Sequence, residues 1–142
     1  MTYLLSILLS ILFFTLSAIH VYWGLGGKWA LSVAFPTKED RASLSKVPGK
    51  MATFLVALGL FCFGLYYLIN MQILSIVLPK YLGEYGYWVI AIIFFLRAMG
   101  DFNYIGIFRK VKTTAFGKKD KNIYTPLCIF LSCLTFLLIY LG

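Results

Sequence analysis

An arginine and an aspartate four residues apart inside a long apolar run are the first residues here with chemistry to offer. They are Arg97 and Asp101. In a helix that spacing puts both on one face, where the two charges can pair. If the run crosses a membrane, each charge costs about 2.5–3.5 kcal/mol at the helix centre, so several apolar residues are needed to offset one. Charges kept in such a place usually turn toward the protein interior, pair, and mark a site. Gly100 and Tyr104 share that face. The single histidine, His20, stands near the end of another apolar run, followed directly by Val21, Tyr22 and Trp23. An Arg–Asp–His set in a low dielectric holds an anion, moves a proton or does acid–base work. The structural alternative is that Arg97 and Asp101 neutralise one another and lock helix register, while His20 donates to a backbone carbonyl. The candidate ligand-binding residues are therefore His20, Tyr22, Trp23, Arg97, Asp101 and Tyr104.

Other chemistries find little support. One histidine and one nearby aspartate are too few for a recognisable metal-ligand set, so neither a metal nor a cofactor is expected. Cys62, Cys128 and Cys133 lie in apolar runs and form no C-x-x-C pair. They read as small apolar fillers. No nucleophile elbow, His-rich box or phosphate loop is present, so no catalytic residue is assigned.

The elements that must position these residues follow from composition. Of 142 residues, 61% are hydrophobic and 13% charged. A soluble domain is roughly half apolar and about a quarter charged, so the bilayer must be the solvent for much of this chain. Four apolar runs stand out, at about 3–25, 51–70, 85–108 and 123–141, and they predict an all-α bundle of four transmembrane helices forming a single domain, 1–142. The first run exceeds 20 residues and has no charge before Lys28. It reads as a retained span and not as a signal peptide. The second, if continued to Leu78, would be about 42 Å long against a core of about 30 Å, so it must tilt or break near Asn70. Pro126 sits in the first turn of the fourth, where a missing N–H does no harm. Asp120 and Tyr124 open that span, with Asp120 placed to support its N-terminus.

Charge gives the topology. Eleven of the thirteen Lys and Arg lie in two connections, about 26–50 and 109–121, on the same side of the membrane. The net charge of +8 thus belongs to the connections. The positive-inside rule places both in the cytoplasm and both termini outside, in a multi-pass protein of a bacterial inner (plasma) membrane. The lysines are expected to meet anionic lipid headgroups and not nucleic acid.

Each run carries one small or polar stripe. In the first, Ser6, Ser10, Ser17, His20 and Gly24 fall within about 80° of one another. The second offers Thr53, Ala57 and Gly64, and the fourth Thr125, Cys128, Ser132 and Thr135. Such stripes let helices pack closely, and the leucine-, isoleucine- and phenylalanine-rich remainder faces lipid. Gly26-Gly27 ends the first helix amid Tyr22, Trp23 and Trp29, an aromatic belt. Offset by 81 residues, Ala34–Glu39 falls on Ala115–Asp120, His20 on Asp101 and Trp23 on Tyr104. Two parallel repeats would produce this, and so would chance similarity between two short basic loops.

His20, Tyr22, Trp23, Gly26, Gly27 and Trp29, then Arg97, Gly100, Asp101, Phe102, Tyr104, Gly106 and Phe108, then Phe116, Asp120, Tyr124, Pro126, Leu127 and Cys128 form a pattern over nearly the whole chain. It resembles a bacterial family of small four-span membrane proteins catalogued as a domain of unknown function. The resemblance implies the fold and topology and lends no activity.

The leading expectation is a protein that binds or transports a small polar or amphiphilic ligand at a His/Arg/Asp layer. The rivals are an integral-membrane enzyme acting on a lipid, quinone or isoprenoid, and an accessory subunit of a membrane complex. Four short helices enclose little space, which makes a homo-oligomer a further candidate state.

Overall fold

The computed structural model describes residues 1–30, 49–100, 105–108, 110 and 114–142. Four helices carry the described chain, and among the described residues there is no strand. They are α1 (Thr2–Gly24), α2 (Lys50–Asn70), α3 (Lys80–Met99) and α4 (Ala115–Leu141). Each is long and apolar enough to cross a membrane, and the chain is an integral membrane protein built as a four-helix bundle.

The polar stripes lie at the contacts between helices. Ser6, Ser10, Ser17 and Gly24 are the small residues buried on α1. Thr53, Ala57 and Gly64 are buried on α2, and Thr125, Cys128, Ser132 and Thr135 on α4. With no water in the bilayer core, a hydroxyl there needs a protein acceptor. Ser10 Oγ donates to the Gly64 carbonyl at 2.9 Å and Ser17 Oγ to the Ala57 carbonyl at 2.7 Å. Ser132 Oγ donates to the Ala91 carbonyl at 2.9 Å. These bonds tie α1 to α2 and α4 to α3, the two most extensive helix contacts; thinner contacts of α1 with α4 and of α2 with α3 close the ring.

The bundle is internally repeated. Leu9, Ser10, Phe13 and Ser17 are buried on α1, and Ile90, Ala91, Phe94 and Ala98, each 81 residues later, are buried on α3. The second helices of the two pairs match at an offset of 68. Ala57, Leu60, Gly64 and Tyr67 correspond to Thr125, Cys128, Ser132 and Thr135, all buried. The offset falls from 81 to 68 because the chain between equivalent positions, Ser17 to Ala57 in the first pair and Ala98 to Thr125 in the second, is thirteen residues shorter in the second. Equivalent residues also meet across the centre. The rings of Phe13 and Phe94 lie 5.3 Å apart, and Tyr67 OH and Thr135 Oγ1 share a 2.7 Å hydrogen bond. Two like helix pairs related by an axis along the bundle account for both contacts. Of the residues that suggested the repeat, 34–39 lie outside the described residues, as do Asp101 and Tyr104, the counterparts of His20 and Trp23.

Tyr67 and Phe13 are fully buried and stacked at 5.6 Å, with Phe63 against Phe13 and Tyr66 and Tyr87 against Tyr67. Interhelical hydrogen bonds in membranes average about 0.6 kcal/mol, with an upper range of about 1.7. Thr135 Oγ1 also donates to the Leu131 carbonyl, so its own proton is already placed. Tyr67→Phe is therefore expected to cost only about 0.6 kcal/mol in a detergent-unfolding titration.

Candidate functional site

Arg97 stands in the last turn of α3. Its Nη2 meets Oδ1 of Asp120 at 3.1 Å. Asp120 is wholly buried, whereas the Arg97 side chain keeps 34% of its surface exposed. The other carboxylate oxygen, Oδ2, accepts from the Gly106 amide at 2.8 Å and from Thr125 Oγ1 at 3.0 Å. Asp120 thus gathers a guanidinium, a backbone N–H and a hydroxyl from three stretches of chain. A buried carboxylate is tolerable only with such pairing.

Two local features bring these groups together. The first is the stop of α3. The helix ends at Met99, and Gly100 follows with φ +85° and ψ −169°. Downstream, Ile107 N–H donates to the Ala98 carbonyl at 2.9 Å, so the chain folds back onto the helix end. Gly106, with φ +87°, lies against the Ala98 and Met99 carbonyls and presents its N–H to Asp120. The second feature is a wide turn in α4. This helix begins at Ala115, capped by Thr114, whose hydroxyl accepts from Gly117 N–H at 3.0 Å. Residues Asp120–Tyr124 form a π-helical segment, and Thr125–Leu141 return to α-helix. Residues five apart on an α-helix point about 140° away from each other. The π turn brings Asp120 and Thr125 onto one face, which is what their hydrogen bond requires. Pro126 follows at once and cannot donate to the carbonyl four residues back, so the change in hydrogen-bond register falls where the proline would break the ladder anyway.

This geometry corrects three expectations. The face shared by Arg97 and Asp101 presumed a helix running to about 108, but α3 ends at Met99. Among the described residues the carboxylate on Arg97 is that of Asp120; Asp101 and Tyr104 lie outside them. Gly100 was expected to admit a neighbouring helix and instead ends its own helix. Asp120 reads from the sequence as opening the fourth span, yet the continuous helix starts at Ala115; Pro126 does stand in the first turn of the α-helical stretch Thr125–Leu141, which continues that helix.

His20, Tyr22 and Trp23 sit at the same end of the bundle. Because Phe13 and Phe94 lie side by side, Arg97 stands at the depth of Leu16, and His20 is about one helical turn, roughly 6 Å, further toward that end. No hydrogen bond or ion pair joins His20 to Arg97 among the described residues. His20 Nδ1 lies 2.8 Å from the Leu16 carbonyl. A carbonyl only accepts, so Nδ1 carries the proton and a neutral ring presents Nε2 as an acceptor. The Trp23 ring stands edge-on to His20 at 5.1 Å, and its Nε1 donates to the Trp29 carbonyl at 2.8 Å. The Tyr22 ring covers Gly27, whose N–H donates to the Tyr22 carbonyl at 2.9 Å. These aromatics organise the end of α1. Among the described residues no cluster of His, Cys, Asp and Glu has the makings of a metal site.

The repeat sharpens the picture of Arg97. Its counterpart in the first pair is Leu16, while Asp120, one residue ahead of the offset because of the π turn, stands where Thr53 does. One half of a repeated bundle carries an ion pair at a position that the other half fills with a leucine and a threonine.

A family model described as "Protein of unknown function (DUF3995)" matches residues 13–135. The chain belongs to the DUF3995 family. The matched span holds the whole Arg97–Asp120 cluster and both glycines of the turn at the end of α3, together with His20, Tyr22 and Trp23. No curated protein and no solved structure matches the chain. Membership in DUF3995 agrees with the resemblance read from the residues and brings no activity with it.

Proposed function

We propose that this protein binds a small amphiphilic molecule at the Arg97 layer, with a carbonyl-type oxygen of the ligand docked on the guanidinium. One observation carries the reading. Arg97 Nη1 is shielded from solvent and has no acceptor among the described residues, while Nη2 is held by Asp120. A guanidinium offers five N–H donors in a rigid fork. Leaving a buried donor unmade costs about 1–3 kcal/mol, more for a charged group, and a ligand acceptor would recover it.

Asp120 sets the character of that ligand. It already neutralises Arg97, so a second full anion would be repelled by the buried carboxylate. A neutral acceptor such as a ketone, ester or quinone oxygen suits the fork better. His20, about one turn away, offers Nε2 to a hydroxyl or a proton of the same molecule. Tyr22, Trp23, Asp101 and Tyr104 complete the proposed set at this end of the bundle. The polar layer would then hold or pass the ligand, and an enzyme acting on a lipid, quinone or isoprenoid would use His20 Nε2 as its base.

The same reading places this end in the cytoplasm of a plasma membrane. Lys28, Lys50, Lys110, Lys118, Lys119 and Lys121 are all exposed around it. They are suited to anionic headgroups, each contributing about 1 kcal/mol near a charged surface.

Mass spectrometry of the lipids and small molecules retained by purified protein tests the site. Arg97→Lys is the informative variant, because it keeps the charge beside Asp120 and removes the second edge of the fork. A compound held by wild type and lost in Arg97→Lys and in His20→Ala, with unchanged helicity, is the expected result. Identical profiles in all three proteins would overturn the reading and bring the accessory-subunit role forward.

A further inference from the structure

At the opposite end of the bundle a cleft of about 390 Å³ opens where all four helices converge. Glu84 lies in the second turn of α3, thirteen residues before Arg97, so the cleft is about 20 Å from the ion pair along the axis. Its polar walls are acceptors, ring faces and the hydroxyl of Thr2, which can donate or accept. Glu84 supplies a carboxylate. Asn70 Nδ2 donates to the Tyr66 carbonyl at 2.9 Å, which leaves Oδ1 as the accepting end of that amide. Tyr87 is held by ring contacts with Tyr66 at 4.9 Å and Tyr67 at 5.4 Å, and Trp88 by an edge contact with Phe136 at 5.9 Å. Leu138 and Ile139 line the apolar side. Lys80 precedes Glu84 by one turn, yet it does not line the cleft, and among the described residues the ion pair is Arg97 with Asp120. Among the described residues no cation pairs with the Glu84 carboxylate.

We propose that this cleft takes the ammonium group of an amphiphilic organic cation, with its tail along Leu138 and Ile139. The chemistry is one-sided. An ammonium is attracted to a carboxylate, to an amide oxygen and to the faces of indole and phenol rings, and each attraction grows as water is excluded. An anion would be repelled by Glu84, and a neutral amphiphile would use the apolar wall alone. The volume falls within the range of pockets that hold small molecules, about 300–1,000 Å³. The site is independent of the Arg97 reading, because it shares no residue with it.

The test uses the full chain in micelles of an uncharged detergent, with Trp23→Phe and Trp29→Phe so that Trp88 is the remaining indole. Dodecyltrimethylammonium is titrated against Trp88 fluorescence, with dodecanol as the neutral control. The expected result is a saturable change with the ammonium alone, weakened about tenfold by Glu84→Gln and largely kept by Glu84→Asp. Glu84 is exposed, so Glu84→Gln should fold, and a thermal melt confirms it. An equal response to dodecanol, or an unchanged midpoint in Glu84→Gln, overturns the proposal. Competition by phosphatidylethanolamine in bilayer discs would identify a lipid amine as the occupant; its failure to compete would point to a free amphiphilic amine.

Discussion

Asp120→Ala is expected to lower stability by about 3 kcal/mol, the range for removing one partner of a buried ion pair, reduced somewhat because Arg97 remains a third exposed. Three groups lose their acceptor at once: the Arg97 fork, the Gly106 amide and the Thr125 hydroxyl. Asp120→Asn keeps one oxygen for Gly106 or Thr125 and loses the charge opposite Arg97, so its effect should fall between wild type and the alanine variant. Arg97→Met leaves a wholly buried carboxylate without its cation. The double variant Arg97→Met with Asp120→Leu removes both charges and should be no less stable than either single variant. Unfolding titrations of the four proteins in one detergent give the coupling directly. Additive losses across the cycle would mean that the two side chains act separately and that the 3.1 Å contact contributes nothing.

The packing surfaces were legible in the sequence for a reason peculiar to membranes. Ser10, Ser17, Ser132 and Thr135 recur at helical spacing amid leucine and isoleucine, and hydrocarbon gives a hydroxyl no partner of its own. Placing those residues inward needed only the 100° rule, and the structure buries all four. The basic connections and the four apolar runs were equally plain, because a charge deep in a bilayer is costly enough to dominate any local preference.

The ion pair was not legible, and the cause is specific. Pairing Arg97 with a carboxylate four residues on assumes a continuous helix, and apolar content alone does not reveal where a helix stops. The signal available was Gly100 and Gly106, six residues apart and flanking a polar stretch, a pattern that fits a chain reversal as well as a packed helix. Asp120 reads from the sequence as a helix-opening acid because the apolar run of the fourth span begins only at about 123. A π turn has no sequence signature strong enough to show that the helix had begun five residues earlier, at Ala115. The repeat is carried by helix residues 81 and 68 apart that are buried alike and touch across the axis, and not by the loops: α4 follows α2 at an offset of 68, so Ala115–Asp120 is not the equivalent of Ala34–Glu39.

That repeat gives the ion pair its interest. A bundle of two equivalent helix pairs needs no charge at the depth of Arg97 to pack, since Leu16 fills the matching place in the first pair. Stability therefore does not require the pair, and replacing such a pair by apolar residues is often neutral or stabilising. The chain carries it beside a helix end and a π turn, on an arginine whose side chain is a third exposed. This is the setting in which perturbed backbone and paired charge most often accompany binding.

Gly100→Ala is expected to be the most damaging substitution at this end of the protein that leaves every charge in place. At φ +85° and ψ −169° the backbone occupies a region that is nearly exclusive to glycine, and an L-residue there costs about 1–3 kcal/mol. A methyl group would also collide with the Ile105 carbonyl. That carbonyl cannot yield easily. The amide that follows it, Gly106 N–H, is committed to Asp120, and Ile107 N–H is committed to the Ala98 carbonyl. The methyl group must therefore either strain the turn or pull Gly106 away from Asp120, and the total loss should reach about 3 kcal/mol or more. Gly59 provides the contrast within the same chain, since nothing lies within 4 Å of a Cβ added there. Inside α2, alanine is the better helix former by about 0.8–1.0 kcal/mol, so Gly59→Ala should be neutral to mildly stabilising. The decisive comparison is Gly100→Ala in the Asp120→Ala background. If the turn's role is to hold the Gly106 amide on the carboxylate, removing the carboxylate first should shrink the cost of the glycine substitution to its backbone strain alone. A cost that is the same in both backgrounds would separate the turn from the ion pair and leave Gly100 as a helix stop only.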